Sequence, residues 1–194
     1  MRSLTNGTPN GTTHSIYDTR DRPIAETNGA GVTLREYIWL DDLPVAVDGA
    51  NLATPTLLHV HNDHVGRPFM MTDAAQAVVW RAVYESFGKV HSITGSATLD
   101  ARFPGQWFQL EAGLHYNWHR HYDPTLGRYA QPDPLGLAAL RADGSSLYGY
   151  ARQSPQIWVD PEGGSVPPGP TPPMEDWLQD RFHGNDYSVW SCTL

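Results

Sequence analysis

The sequence predicts a mainly β protein: a curved antiparallel sheet of hairpins, closed by a small terminal module. Three observations carry this. Glycine and proline, 18 and 16 of 194 residues, are scattered along the chain, so the ordered runs between them stay short. Aromatic and β-branched residues fill those runs, as strands require. One order of residues also recurs: an acidic residue, a turn, an arginine and an alternating strand.

The elements are taken in chain order. Pro23–Thr27 and Leu34–Leu40 alternate in character and are separated by "NGAG" at Asn28–Gly31. Both Asn and Gly tolerate positive φ, so this is a hairpin. The segment "LLHVHNDHVGRPFMMTDAAQAVVWRAVY" gives strands over Leu57–His61, Arg67–Thr72 and Ala77–Tyr84, punctuated by "HVGRP" and "DAAQ". A looser unit is "WFQLEAGLHYNWHRHYDPTLGRYAQPDP". "YDTRDRPIAE" at Tyr17–Glu26 and "YDPTLGRYAQ" at Tyr122–Gln131 share the order Tyr-Asp, turn, Arg, strand, and "NDHVGRPFMMTD" is a Tyr-less relative. The Asp can cap its own backbone two residues on. The Arg can return to a carboxylate or cover an aromatic face.

Composition narrows the function. A net charge of -8 opposes binding to nucleic acid. The single Cys192 excludes an internal disulfide framework and a thiolate zinc cluster. No apolar run reaches the ~20 residues that span a bilayer. "MRSLTNGTPNG" lacks the apolar stretch of a secretory signal peptide.

The ordered motifs resemble a family. "YDTRDRPIAETNGAGVTLREYIWLDDLPVA", "HNDHVGRPFMMTDAAQAVVWRAVYESFG" and "HYDPTLGRYAQPDPLGL…LYGYARQSPQIWVDPEGG" together resemble the C-terminal core-associated region of the Rhs (rearrangement hotspot) and YD-repeat proteins. The last segment carries the module's motif positions: Tyr122, Asp123, Gly127, Arg128, Pro132, Pro134, Gly136, Leu137, Tyr148, Tyr150, Pro155, Pro161 and Gly163. The resemblance implies a hollow β-shell around a toxin segment and an aspartyl-type site that frees the toxin inside. It divides the chain into residues 1–14, a disordered or truncated start; 15–121, shell; 122–164, core-terminating module; 165–173, Pro-rich linker; and 174–194, a vestigial or truncated toxin region. It further implies bacterial competition as the setting, with export by a specialised secretion system. The partners it implies are the rest of a shell or a second copy, with a toxin segment or an immunity protein.

The chemistry centres on "PDPLGL" and "VDPEGG". Two carboxylates brought together, here Asp133 and Asp160, can share a proton, one acting as base for a water and the other as acid. Arg128 is the nearest cation in sequence and a candidate to orient one of them. The plainer alternative is that each Asp-Pro-x-Gly is only a capped turn. The resemblance places the cut after the residue following the second motif, at Gly164–Ser165, but there the family has Leu and this chain has Gly164. The expectation is a slowed cut, or none.

The remaining candidates are structural in expectation. His59 and His61 share a strand face, His64 follows the turn, and His119 and His121 repeat the spacing; aromatic packing and turn hydrogen bonds account for them, so no metal and no cofactor is expected. "MEDWLQDRF", Met174–Phe182, fits one short amphipathic helix, and the tail's His183, Asp186 and Cys192 have no fold around them to make a nucleophile pair. Three alternatives stand beside the shell reading: an active self-processing aspartyl peptidase, a carbohydrate- or surface-binding β-module suggested by Tyr37 and Trp39, and a degraded orphan fragment.

Overall fold

A computed structural model describes residues 2–4, 11–20, 22–49, 56–104, 106–137, 146–160 and 163–164. Nine strands form one antiparallel sheet in strict chain order: β1 (Arg2–Leu4), β2 (Gly11–Tyr17), β3 (Pro23–Asn28), β4 (Thr33–Leu40), β5 (Leu43–Asp48), β6 (Leu57–Asn62), β7 (Pro68–Thr72), β8 (Val78–Tyr84) and β9 (Val90–Gly95). A second antiparallel sheet has five strands: β10 (Ala101–Phe103), β11 (Gln106–Gln109), β12 (Leu114–Asn117), β13 (Arg120–Asp123) and β14 (Arg128–Tyr129). The second sheet thus begins at Ala101, and β13 runs across the 121/122 division expected from sequence. The helix expected at Met174–Phe182 lies outside the described residues, as do Pro161 and the His183, Asp186 and Cys192 positions.

One turn device recurs along the large sheet. Asn28, Asp63 and Asp73 each open a hairpin by bonding their own backbone N–H to the carbonyl four residues on. Their side-chain oxygens accept the backbone N–H groups two and four residues on, at 2.9–3.1 Å. Asp18 does the same with Arg20 and Arg22. The device needs a left-handed residue just before the strand resumes, supplied by Gly31, Gly66 and, without glycine, Gln76.

The arginine after the turn does both things expected of it. Arg67 Nε donates to Asp63 Oδ2 at 2.9 Å, and its guanidinium lies 5.1 Å from the Tyr84 ring centre. Arg22 bonds Asp18 in the same way, donates to the Asp41 carbonyl and lies over Trp39.

The core sits where one face of the large sheet meets the start of the second. Cross-strand neighbours carry it: Tyr37 pairs with Val47, and Met71 with Trp80, all buried. Leu99, Ala101 and Trp107 complete the layer, and the Tyr37 and Trp107 rings meet edge-on at 5.2 Å. Tyr37 and Trp39, the aromatics that suggested a surface-binding module, are therefore engaged internally. The Tyr37 hydroxyl donates to Glu26 and the Trp39 indole N–H to the Pro23 carbonyl.

A second cluster gathers the module. The Phe103, Tyr122, Tyr129 and Tyr150 rings pack with centres 4.7–5.8 Å apart. Such pairs add about 0.5–1.5 kcal/mol each beyond area burial. The Tyr122 hydroxyl donates to the Phe87 carbonyl in the β8–β9 turn, and Gln156 Nε2 to Ser86 beside it, so the module is anchored to the large sheet.

Candidate functional site

At the centre of the module one arginine joins both expected aspartates. β12 and β13 form a tight hairpin in which Asn117 pairs with Arg120 across Trp118 and His119, and Trp118 adopts positive φ to close it. Arg120 and Tyr122 then share the buried face of β13. Arg120 Nη2 lies 3.0 Å from Asp133 Oδ2 and 3.0 Å from Asp160 Oδ2. Arg120, Asp133 and Asp160 are 2, 6 and 1% exposed. Two Asp-Pro-x-Gly turns separated in sequence thus bring their carboxylates onto one cation.

Each carboxylate is further fixed by its own turn. Asp133 Oδ1 accepts the Leu135 N–H at 2.8 Å, and its carbonyl accepts Gly136 N–H. Asp160 Oδ1 accepts the Gly164 N–H at 3.1 Å. The Tyr129 hydroxyl donates to Asp160 Oδ2 at 2.9 Å, while Asn117 Nδ2 donates to the Tyr129 hydroxyl and to the Asp160 carbonyl. Burial, with the negative charge of Asp160 beside it, raises the Tyr129 hydroxyl well above the usual tyrosine range, so it stays a donor. The guanidinium of Arg120 lies 3.6 Å from the Tyr129 ring centre, its Nε donates to the Gly163 carbonyl and Nη1 to that of Leu147. One cation thus stands against two buried carboxylates.

The cation at the pair is Arg120, not Arg128. Arg128 is exposed on β14, beside the buried Tyr129 and on the opposite side of the strand. Where Asp18 and Asp63 receive the arginine four residues on, Arg128 stands five after Asp123, whose Oδ1 is taken up by Thr125 and Leu126. Arg120 could have been found in "NWHRHYD": it is in phase with Tyr122, and an arginine on the buried face of a strand must be paired.

The remaining motif positions divide by role. Tyr122, Gly127, Tyr150 and Pro155 are buried, as is Gly163, while Pro132, Pro134, Leu137 and Tyr148 face outward. Tyr148 instead holds β14 through its carbonyl, which accepts the Tyr129 N–H.

The histidines do not converge. His59 is exposed, His61 bonds Thr72 Oγ1, and His64 reaches the Gln156 carbonyl across to the module. His119 stands in the β12–β13 turn while His121, on β13, packs against Tyr116. Among the described residues no group of three His, Cys, Asp or Glu could hold a metal ion, and no helix is long and apolar enough to cross a membrane.

The chain is a β protein in which a chain-order antiparallel sheet is closed by a module with a buried Asp–Arg–Asp centre. Its fold matches the crystal structure of TcdB2-TccC3 without the hypervariable C-terminal region, with a TM-score of 0.56 and 18% identity over 72% of this chain and 7% of that one. The family model described as RHS protein matches residues 58–92. The chain is 40% identical over 157 residues to double-stranded DNA deaminase toxin A of Burkholderia cenocepacia, covering 77% of this chain and 10% of the relative. It is 36% identical over 107 residues to toxin protein Tse5 of Pseudomonas aeruginosa, covering 55% and 8%. It is an Rhs-family protein, a structural segment related to Rhs toxins. It spans about a tenth of the length of these curated relatives.

Proposed function

We propose that this chain is the part of an Rhs shell that adjoins the cargo, and that its terminal module cuts its own backbone near Gly164 to free the cargo segment. The observation that carries the reading is Arg120 held between Asp133 and Asp160 in a buried site, with the chain after Asp160 returning onto the same arginine through Gly163. Asp133 serves as base for a water, the pair's shared proton serves the leaving nitrogen, and Arg120 steadies both the carboxylates and the carbonyl. The cargo is a toxin segment, the rest of a YD-repeat shell completes the enclosure, and a secretion system delivers the whole. Toxin names among the relatives support this setting.

The test is the full chain carrying a reporter protein after Leu194. A cut near Gly164 that disappears in Asp133→Asn supports the reading. A chain that stays intact over days leaves a shell segment without self-cleavage.

A further inference from the structure

We propose that the cleft beside the β7–β8 turn binds an arginine side chain presented on a peptide segment of another chain, with Asp73 as its carboxylate partner. The molecule carries the filled form of this site twice. In the Asp18 and Asp63 turns one carboxylate oxygen, Oδ1, accepts the turn's own backbone N–H groups. The other, Oδ2, faces Nε and Nη2 of the arginine four residues on. The Glu85 turn carries Lys89 at the same offset, with its ammonium 3.2 Å from the carboxylate.

Asp73 breaks the pattern. Its Oδ1 accepts the Ala75 and Ala77 N–H groups at 2.9 Å, so the turn itself is complete. The residue four on is Ala77, and no cation among the described residues pairs with the carboxylate. Oδ2 is left without the guanidinium that its two counterparts hold.

Asp73 also lines a cleft of about 580 Å³. His59 pairs with Thr72, which sets Asp73 at the end of the cross-strand row Tyr37, Val47 and Leu58. The Ala97 N–H donates to the Val79 carbonyl at 3.0 Å and holds Ser96–Thr98 beside β8 as a wall of the cleft.

The lining suits an arginine. Leu58, Val79 and Ala97 offer apolar surface to the methylenes of its stem, and the Ser96 and Thr98 hydroxyls offer acceptors for N–H groups that Asp73 does not take. Arg35, the other charged residue of the lining, is 3.7 Å from Glu26 and balanced by it, so the net charge of the cleft is that of Asp73. A guanidinium can set two N–H groups on one carboxylate oxygen, as Arg22 and Arg67 do, whereas an ammonium is a single point charge. The volume lies within the ~300–1,000 Å³ of ligand sites, room for an arginine and the residues that flank it.

The experiment follows backbone amide shifts of the full chain during titration with the blocked peptide Ac-Ala-Arg-Ala-NH2, and with the same peptide carrying citrulline, the neutral isostere of arginine. Saturable shifts at the Ala75, Ala77 and Ala97 amides are expected, with the citrulline peptide at least about tenfold weaker. Asp73→Asn retains the turn, since Asn28 makes the same pair of backbone bonds, and is expected to weaken the arginine peptide by the same factor. Ala77→Arg supplies the arginine from within, as Arg67 does for Asp63, and is expected to abolish binding. Unchanged shifts at the remaining amides show that both variants are folded. Equal binding of the citrulline peptide, undiminished binding to either variant, or no saturable shift at these amides overturns the proposal. So does tighter binding of Ac-Ala-Glu-Ala-NH2, which would make Arg35 the anchor. A shift of the same amides in Arg181→Gln without peptide also overturns it, because the chain's own arginine would then fill the cleft.

Discussion

Arg120 Nη2 stands 3.0 Å from Asp160 Oδ2, across 40 residues of sequence and with both side chains at most 2% exposed. The same nitrogen meets Asp133, so the arginine ties β13 to both Asp-Pro-x-Gly turns. Removing it leaves two carboxylates buried together with no cation. Arg120→Met is therefore expected to destabilise the module by about 3–5 kcal/mol, more than removal of either carboxylate alone. Asp133→Asn keeps the shape and leaves Arg120 paired with Asp160, so it is expected to cost less. Urea unfolding followed by tryptophan fluorescence orders the three; a chain indifferent to loss of Arg120 would contradict the pairing.

The repeated hairpin device gives a second expectation. Burial raises the Asp18 carboxyl, but hydrogen bonds from the Arg22 side chain and from the Arg22 and Arg20 backbone outweigh it, and the net value lies below the usual one of 3.8. A depressed carboxylate stabilises the fold above its unfolded pKa, and that contribution is lost as pH falls through the folded value. Asp18→Asn should flatten the part of the stability profile below about pH 4 and leave the shape of the profile above it unchanged. Chemical melts at several pH values between about 2 and 6 check this.

His115 sets a separate acid limb. It is fully buried on β12, ringed by Phe103, Phe108 and Tyr122 at 5.1–6.2 Å, and burial, with the Arg102 charge nearby, lowers its pKa from 6.5 to about 3. Between those values the unfolded chain binds a proton that the folded chain refuses, so stability falls as pH drops from about 6.5 towards 3. His115→Phe, which keeps the aromatic packing without the titration, should remove that slope. Melting temperature against pH for both proteins reads it out.

The large sheet was legible because its turns are chemical as well as geometric. Asn28, Asp63 and Asp73 announce their hairpins, and the strands on either side alternate, so β3, β4, β6, β7 and β8 fall within a residue of their expected bounds. β5 was hidden by Pro44, which lacks the N–H a strand position normally donates; its carbonyl nonetheless takes Asn62 Nδ2. β10 to β14 are two to four residues long, too short for alternation to register. In the site, the repeated Asp-Pro-x-Gly marked Asp133 and Asp160. Arg120 was not marked, because its partnership is set by β13 register and by a chain return over 40 residues, neither of which a linear motif displays.

The two glycines at the end of the module give the sharpest contrast. Gly163 combines a left-handed φ of +63° with a Cβ position 2.4 Å from a backbone oxygen, and backbone cannot move aside as a side chain can. Gly163→Ala is expected to push the chain off Arg120 and destabilise the module by about 1–3 kcal/mol. Gly164 has no such neighbour, so Gly164→Leu, which puts in the apolar residue found in the family motif, should fold with wild-type stability. Hydrogen exchange at the Tyr129 and Gly164 amides localises the effect: faster exchange at both in Gly163→Ala, unchanged exchange in Gly164→Leu. If Gly163→Ala left both amides as protected as in the wild type, the close seating of this peptide against Asn117 and Arg120 would be refuted.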